Sequence, residues 1–258
     1  MKSLDNTIKY YELLMKCDDL SSFDKYELPS GFHFEFYKSG DELSWVNIHI
    51  GSGEFTSVDQ GLEWFHKFFD SFIDSLDKRC IFIVDSSTLE KIGTATVSLL
   101  KDKEYGYSAA IDWVAIRRDY QGRKLARPLI TKFMEVARDL GHTGVILHTQ
   151  TTTWLAAKLY LDFGFDILNT DSFGWRILKT LTNHEKLSLY DDIPLEEVYD
   201  LRNIAIEKKL VSMYNTSFFN YAIWDKSGRH DVYTYIDGIH HEYEYFVDDG
   251  IILKEVKK

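Results

Sequence analysis

The chain has 258 residues, 45% hydrophobic and 28% charged, with a formal net charge of −11, enough to bury a core as one large domain or a domain with an appendage. Its acidity argues against nucleic-acid binding through a basic face. No apolar run reaches the ~20 residues of a membrane helix, and MKSLDNTIKYYELLMK is too charged for a signal peptide, so a cytoplasmic chain without a membrane partner is expected.

Residues 6 to 28 read as a helix followed by a loop, closed by the turn Pro29-Ser30-Gly31. Phe32, Phe34 and Phe36 alternate with polar neighbours as a strand. Ser39-Gly40-Asp41 starts a helix with Trp45, Val46 and Ile48 on its apolar side, and Gly51-Ser52-Gly53-Glu54-Phe55 breaks it. A longer amphipathic helix from about Val58 to Leu76 buries Leu62, Phe65, Phe69, Phe72 and Ile73. Cys80 to Val84 and Ile92 to Leu100 are strands joined by a polar turn. Cys17 and Cys80 lack a CxxC or His-rich neighbourhood, so buried or incidental thiols and no metal are expected.

Ile111 to Ile116 is a short apolar run suited to a buried strand. From Leu125 the period changes, and Leu125, Leu129, Phe133, Val136, Ala137 and Leu140 mark one face of a helix that Gly141 closes. Pro128 lacks an N–H, so this helix starts late or kinks. Between strand and helix, four arginines and one lysine face a single acid, Asp119, a positive island in an acidic chain. The free N–H groups and positive dipole end of a helix start suit a phosphate there. A solvated helix face is the alternative.

Val145 to Thr149 is a further strand. Thr151 to Thr153 can cap a helix carrying Leu155, Leu159 and Phe163, which Gly164 ends. Phe165 to Leu168 and Trp175 to Lys179 read as a closing hairpin. Pro194 to Met213 reads as a helix with Pro194 near its start. Phe218 to Trp224, Asp231 to Ile236, His240 to Val247 and Ile251 to Val256 read as an antiparallel meander. His240 and His241 point to opposite faces of a strand, which favours solvated polar side chains over a metal site.

The segment YQGRKLA, residues 120–126, resembles the pyrophosphate-binding segment of the GCN5-related N-acetyltransferases, whose pattern is Gln/Arg, any two residues, Gly, any residue, Gly/Ala. Gly122 takes the first glycine; Asp119 stands where Gln or Arg is usual, and Lys124 where a small residue is usual. LPSGFHFEFYKSGDELSWV, GSGEF, RCIFIVD and KIGTATVS resemble the opening of a bacterial subgroup of that family. The resemblance implies an α/β (α+β) fold: a mixed, mostly antiparallel central sheet flanked by helices over residues 1–182. A small C-terminal domain of one helix and the meander, residues 183–258, carries no family signal.

The resemblance also implies acetyl-coenzyme A as co-substrate and a site to hold it. The implied cofactor-binding residues are Val114, Ala115, Ile116, Gln121, Gly122, Arg123, Lys124, Leu125, Ala126, Thr153 and Ala156, with Thr153 replacing a frequent asparagine. Tyr160 matches the tyrosine that protonates the departing thiolate, and a phenol stays protonated at neutral pH; its bland alternative is a packed aromatic. A backbone N–H at Val114 to Ile116 would polarise the thioester carbonyl. Glu54 is the first candidate general base and Asp112 the second, each against a surface or structural role. His33 and His148 are expected in core or hydrogen-bonding roles. The implied reaction moves an acetyl group to a primary amine, on a small molecule or a peptide, and the acidic chain favours a cationic acceptor. A homodimer is left open. The alternative function is a catalytically silent acyl-coenzyme A-binding regulatory or interaction protein.

Overall fold

Seven short apolar runs build the central sheet in the computed structural model, which describes residues 4–200, 221–224, 229–236, 239–246 and 252–255. They are β1 (Glu12–Cys17), β2 (Phe32–Phe36), β3 (Cys80–Asp85), β4 (Lys91–Glu104), β5 (Tyr107–Ile116), β6 (Val145–Gln150) and β7 (Asp166–Ile167). Their order across the sheet is β2-β3-β4-β5-β6-β1-β7. Every neighbouring pair is antiparallel except β5 and β6. The mixed, mostly antiparallel sheet flanked by helices is therefore the one the sequence leads to expect.

Alternation along the strands sorts the core into two layers. On one face, Ile81, Ile83, Ala95, Val97, Ile111, Val145 and Leu147 pack with Leu129, Ile130, Phe133 and Met134 of α3 (Ala126–Asp139). On the other, Phe82, Val84 and Ala115 meet Trp45, Val46 and Ile48 of α1 (Glu42–Ser52) and Phe65 and Phe69 of α2 (Val58–Phe69). α2 starts on Ser57, whose hydroxyl accepts from Gln60 N. It passes at Asp70 into 3-10 turns that run to Lys78.

Three expectations fail. Residues 12–17 are a strand and not part of a helix: Leu13 and Met15 are fully buried, and β1 lies antiparallel between β6 and β7. The chain before it is stitched to the segment after β6, with Asp5 N donating to Thr152 O and Thr151 N to Tyr11 O. The closing hairpin does not form, because Trp175 to Lys179 lies within a helix, α5 (Gly174–Thr182), that buries Trp175, Ile177 and Leu178. β7 takes β1 as its partner instead. Nor does a helix run on from Pro194: it is a single turn, α6 (Leu195–Val198), and Tyr199 is extended, bridged to Ile8. Burial of Val198 with Ile8 and Ile177 holds the chain there, and residues 201–213 of the expected helix lie outside the described residues. Pro128 settles in the first turn of α3, where its missing N–H has no helical partner to lose.

The meander is present as β8 (Tyr221–Trp224), β9 (Arg229–Ile236), β10 (Ile239–Phe246) and β11 (Ile252–Glu255), antiparallel in the order β11-β10-β9-β8. Among the described residues, no helix is long and apolar enough to cross a membrane.

Because β1 fills the sheet between β6 and β7, Met15→Ala is expected to lower unfolding stability by about 2–5 kcal/mol. Urea denaturation checks this, and an unchanged midpoint would contradict the strand assignment.

Candidate active site

The parallel pair makes the site. β5 and β6 share register only at Ala110↔Ile146 and Ile111↔Leu147, although β5 continues to Ile116 and β6 to Gln150. Beyond those two rungs the strands part, and a cavity of about 1180 Å³ lies there. That is more than the roughly 300–1,000 Å³ of most small-molecule clefts. Val114, Ala115 and Ile116 line it from β5; Thr153, Leu155, Ala156, Leu159 and Tyr160 line it from the start of α4 (Trp154–Asp162) and the turn before it.

A bulge marks where the parting begins. Thr94 faces Ala115 and Thr96 faces Asp112, so Trp113 and Val114 together oppose Ala95. Trp113 carries the extra residue with φ 54, a left-handed conformation rare outside glycine. Its ring is held among Trp45, His49, Phe55, Trp64 and Phe68, with centroids 4.9 to 6.1 Å away. A bulge residue drops out of the ladder, which frees backbone groups beside the cavity wall at Val114.

The basic turn is mostly occupied with its own structure. Arg117 pairs with Asp119 at 2.7 Å and Glu90 at 3.2 Å. Arg118 Nε donates to Ser52 O at 3.0 Å. Arg123 lies 4.5 Å over the Tyr120 ring, donates to Asp119 O, and is outside the cavity lining. Arg127 bridges Asp162 and the Tyr26 hydroxyl. Among the described residues, only Lys124 of these five cations has no such partner, and it lines the cavity with Gln121, Gly122, Leu125 and Ala126. Gly122 has φ +78 with open space around its Cα, so conformation and not crowding calls for glycine. Lys124 holds φ 63, a left-handed conformation that glycine adopts more readily than a residue with a Cβ. α3 starts without a side-chain cap and with no acid in its first turn.

Of the predicted acid and base groups, Tyr160 and Glu54 line the cavity and Asp112 lies outside its lining. Tyr160 is 5% exposed. Burial, and then the charges of Glu54 and Asp112, push its hydroxyl well above the usual phenol range. Its proton is therefore firmly held at neutral pH and close to two carboxylates. Thr153 donates to Gln150 O at 3.0 Å and shares a hydrogen with Thr149, so its hydroxyl largely serves the turn.

Sequence reasoning missed Arg118 and the Tyr26–Glu27–Pro29 stretch of the lining, and His49 behind it, whose ring meets Glu54. Arg118 had a readable signal in GSGEF: a Cβ on Gly53 would come within 2.0 Å of the Arg118 guanidinium. Tyr26 had none once residues 6 to 28 are taken as helix and loop.

Residues 42–165 match the family model described as acetyltransferase (GNAT) family. The match supports a GNAT acetyltransferase domain over that segment. N-acetyltransferase 8B of Rattus norvegicus is 29% identical over 105 residues, 40% of this chain and 47% of the relative. Among solved structures, a GCN5-related N-acetyltransferase from Sphaerobacter thermophilus aligns with TM-score 0.49 and 18% identity, over 63% of this chain and 49% of that one. A tandem GNAT protein from the clavulanic acid biosynthesis pathway aligns with TM-score 0.48 and 13% identity, over 64% and 52%. The chain thus spans about half the length of these relatives. The matched segment, 42–165, runs from α1 to just past α4 and contains the cavity walls that β5 and α4 contribute.

The raised Tyr160 pKa has a stability consequence. The unfolded phenol ionises near pH 10 while the folded one keeps its proton, so the folded state binds more protons above pH 10 and loses stability as pH rises. Thermal melts from pH 9 to 11 should show a falling midpoint, and a shallower fall in Tyr160→Phe; equal slopes would contradict the buried, acid-flanked hydroxyl.

Proposed function

We propose that the protein transfers an acetyl group from acetyl-coenzyme A to a primary amine by direct attack. The observation that carries this reading is the gap between β5 and β6, with the Trp113 bulge and Tyr160 on its walls and an uncapped helix start beside Lys124. That donor set fits the co-substrate: the turn at Gln121 to Ala126 offers backbone N–H groups and one ammonium for a pyrophosphate, and the apolar surfaces of Ile116, Ala156 and Leu159 suit a pantetheine arm. Acetyl-coenzyme A supplies the activated acyl group and the thiolate leaving group.

The chain's own groups do the rest. A backbone N–H at Val114 to Ile116 holds the carbonyl oxygen as charge develops on it, a contribution of about 3–4 kcal/mol per donor in other acyl-transfer enzymes. Glu54 takes the proton from the amine, directly or through a water, and Asp112 adds negative charge nearby. Tyr160 keeps a proton on its phenol oxygen for the departing sulfur. Two carboxylates at this end favour an acceptor that arrives as a cation, either a small molecule or a peptide side chain. Residues 1–182 form the acetyltransferase unit, and 183–258 are an appendage that shapes the acceptor end, pairs two copies or binds a partner.

Thiol release tests the reading. Purified protein with acetyl-coenzyme A and a panel of polyamines, aminosugars and lysine peptides should release thiol only when an amine is present. Tyr160→Phe should slow that release by about a hundredfold, at the low end of general acid–base effects. Binding of acetyl-coenzyme A without release for any amine, and no effect of Tyr160→Phe, would favour a silent acyl-coenzyme A-binding protein. Lys124→Ala should weaken coenzyme A binding by about tenfold in calorimetry, the scale of one charge-assisted hydrogen bond; unchanged affinity would leave the holding to Gly122 and the backbone alone.

A further inference from the structure

His49 has no place in the chemistry above, yet it is the most confined titratable side chain near the site. It is fully buried in the last turn of α1. Trp45, Phe55 and Trp113 enclose its ring, with centroids 4.2, 5.6 and 5.3 Å away. Nε2 has no hydrogen-bond partner, while Nδ1 meets the Glu54 carboxylate. A buried polar atom left unpaired costs about 1–3 kcal/mol, and an apolar side chain would pack this aromatic pocket without that cost. Such an atom calls for an explanation.

The backbone supplies one. The His49 carbonyl accepts from Gly53 N at 3.1 Å, Glu54 N at 2.9 Å and the Ser52 hydroxyl at 2.9 Å. The loop that carries Glu54 is therefore wound around one residue, held at its main chain by the carbonyl and at its carboxylate by the ring. Two tautomers are open to the ring. With hydrogen on Nδ1, it donates to an ionised carboxylate and leaves only a bare lone pair among the rings. With hydrogen on Nε2, a buried N–H is orphaned and Nδ1 faces an acceptor unless Glu54 is protonated. The first arrangement leaves the smaller deficit.

We infer that His49 is a positioning residue that donates its Nδ1 hydrogen to Glu54 and holds that carboxylate fixed at the cavity. The inference rests on the reading of Glu54 as general base, and the two can fail separately. Arg118 braces the same loop from the other side through Ser52 O. Tyr160 lies near enough to feel the Glu54 charge, and Trp45, Phe55 and Trp113 surround the imidazole.

Two measurements on the full chain decide it. In nitrogen-15 spectra of histidine-labelled protein, with the His49 signals assigned through His49→Leu, hydrogen on Nδ1 is the expected result. Hydrogen on Nε2 alone would overturn the inference whether or not an acceptor has been found. With an amine that gives turnover, His49→Leu should lower kcat about tenfold or more while the calorimetric Kd for coenzyme A and the melting midpoint hold. His49→Asn, which keeps an N–H near the Nδ1 position, should recover most of that loss. In a Glu54→Gln background His49→Leu should cost nothing further, because its effect runs through Glu54. Wild-type kcat in His49→Leu, or an equal loss in both backgrounds, would overturn the positioning role. Full activity in Glu54→Gln would sink the base assignment instead, leaving the nitrogen-15 result to decide whether the ring holds the carboxylate.

Discussion

The site depends on one parallel pairing in an otherwise antiparallel sheet. β1 and β6 pair antiparallel along the whole of both strands, from Glu12↔Gln150 to Cys17↔Val145. β5 and β6 pair over two rungs only. Their backbone groups beyond Ile111 and Leu147 are then available on both sides of a wedge, and the bulge at Trp113 turns β5 away at the same point. The side chains that line the wedge come from both strands' continuations, so a ligand bound there would touch elements far apart in sequence. The strain of a left-handed tryptophan, about 1–2 kcal/mol, is met by burial of its ring among five aromatic and imidazole neighbours.

The cavity lining carries side chains of both charges. Arg117 and Arg118 brace the end of α1: a Cβ on Gly51 would strike the Arg117 side chain at 2.7 Å, as one on Gly53 would strike Arg118. Arg123 packs against Tyr120, and Arg127 shares Asp162 with Lys158. The arginines thereby fasten the turn to α1 and α4 and fix its backbone, and Lys124 is left facing the cavity. Glu54 and Tyr160 line the same cavity, with Asp112 close enough to act on the phenol.

Much of this was legible in the residues. The period change at Leu125, the alternation in β2, the apolar run at Ile111 to Ile116 and the glycine at 122 marked the strand, turn and helix beside the cavity. What was not legible depended on contacts distant in sequence. Residues 12–17 look helical locally and become a strand because β6 and β7 offer an open slot 130 to 150 residues later. The closing hairpin was lost for the same reason, since Trp175 to Lys179 finds a helical packing once that slot is filled. Counting cations in the turn could not show that four of the five are engaged, because Arg117, Arg118 and Arg127 reach Glu90, Ser52, Tyr26 and Asp162 elsewhere in the chain. His49 gave no signal, because the turn of Gly53 that brings Glu54 back to it is a feature of the folded loop.

In a crystal structure with coenzyme A bound, density is expected in the wedge between β5 and β6, with the pyrophosphate on the backbone of Gly122 to Ala126 within hydrogen-bond reach of Lys124 and the sulfur near Tyr160. Density elsewhere, or a ligand whose sulfur lies away from Tyr160 and the Trp113 bulge, would contradict it.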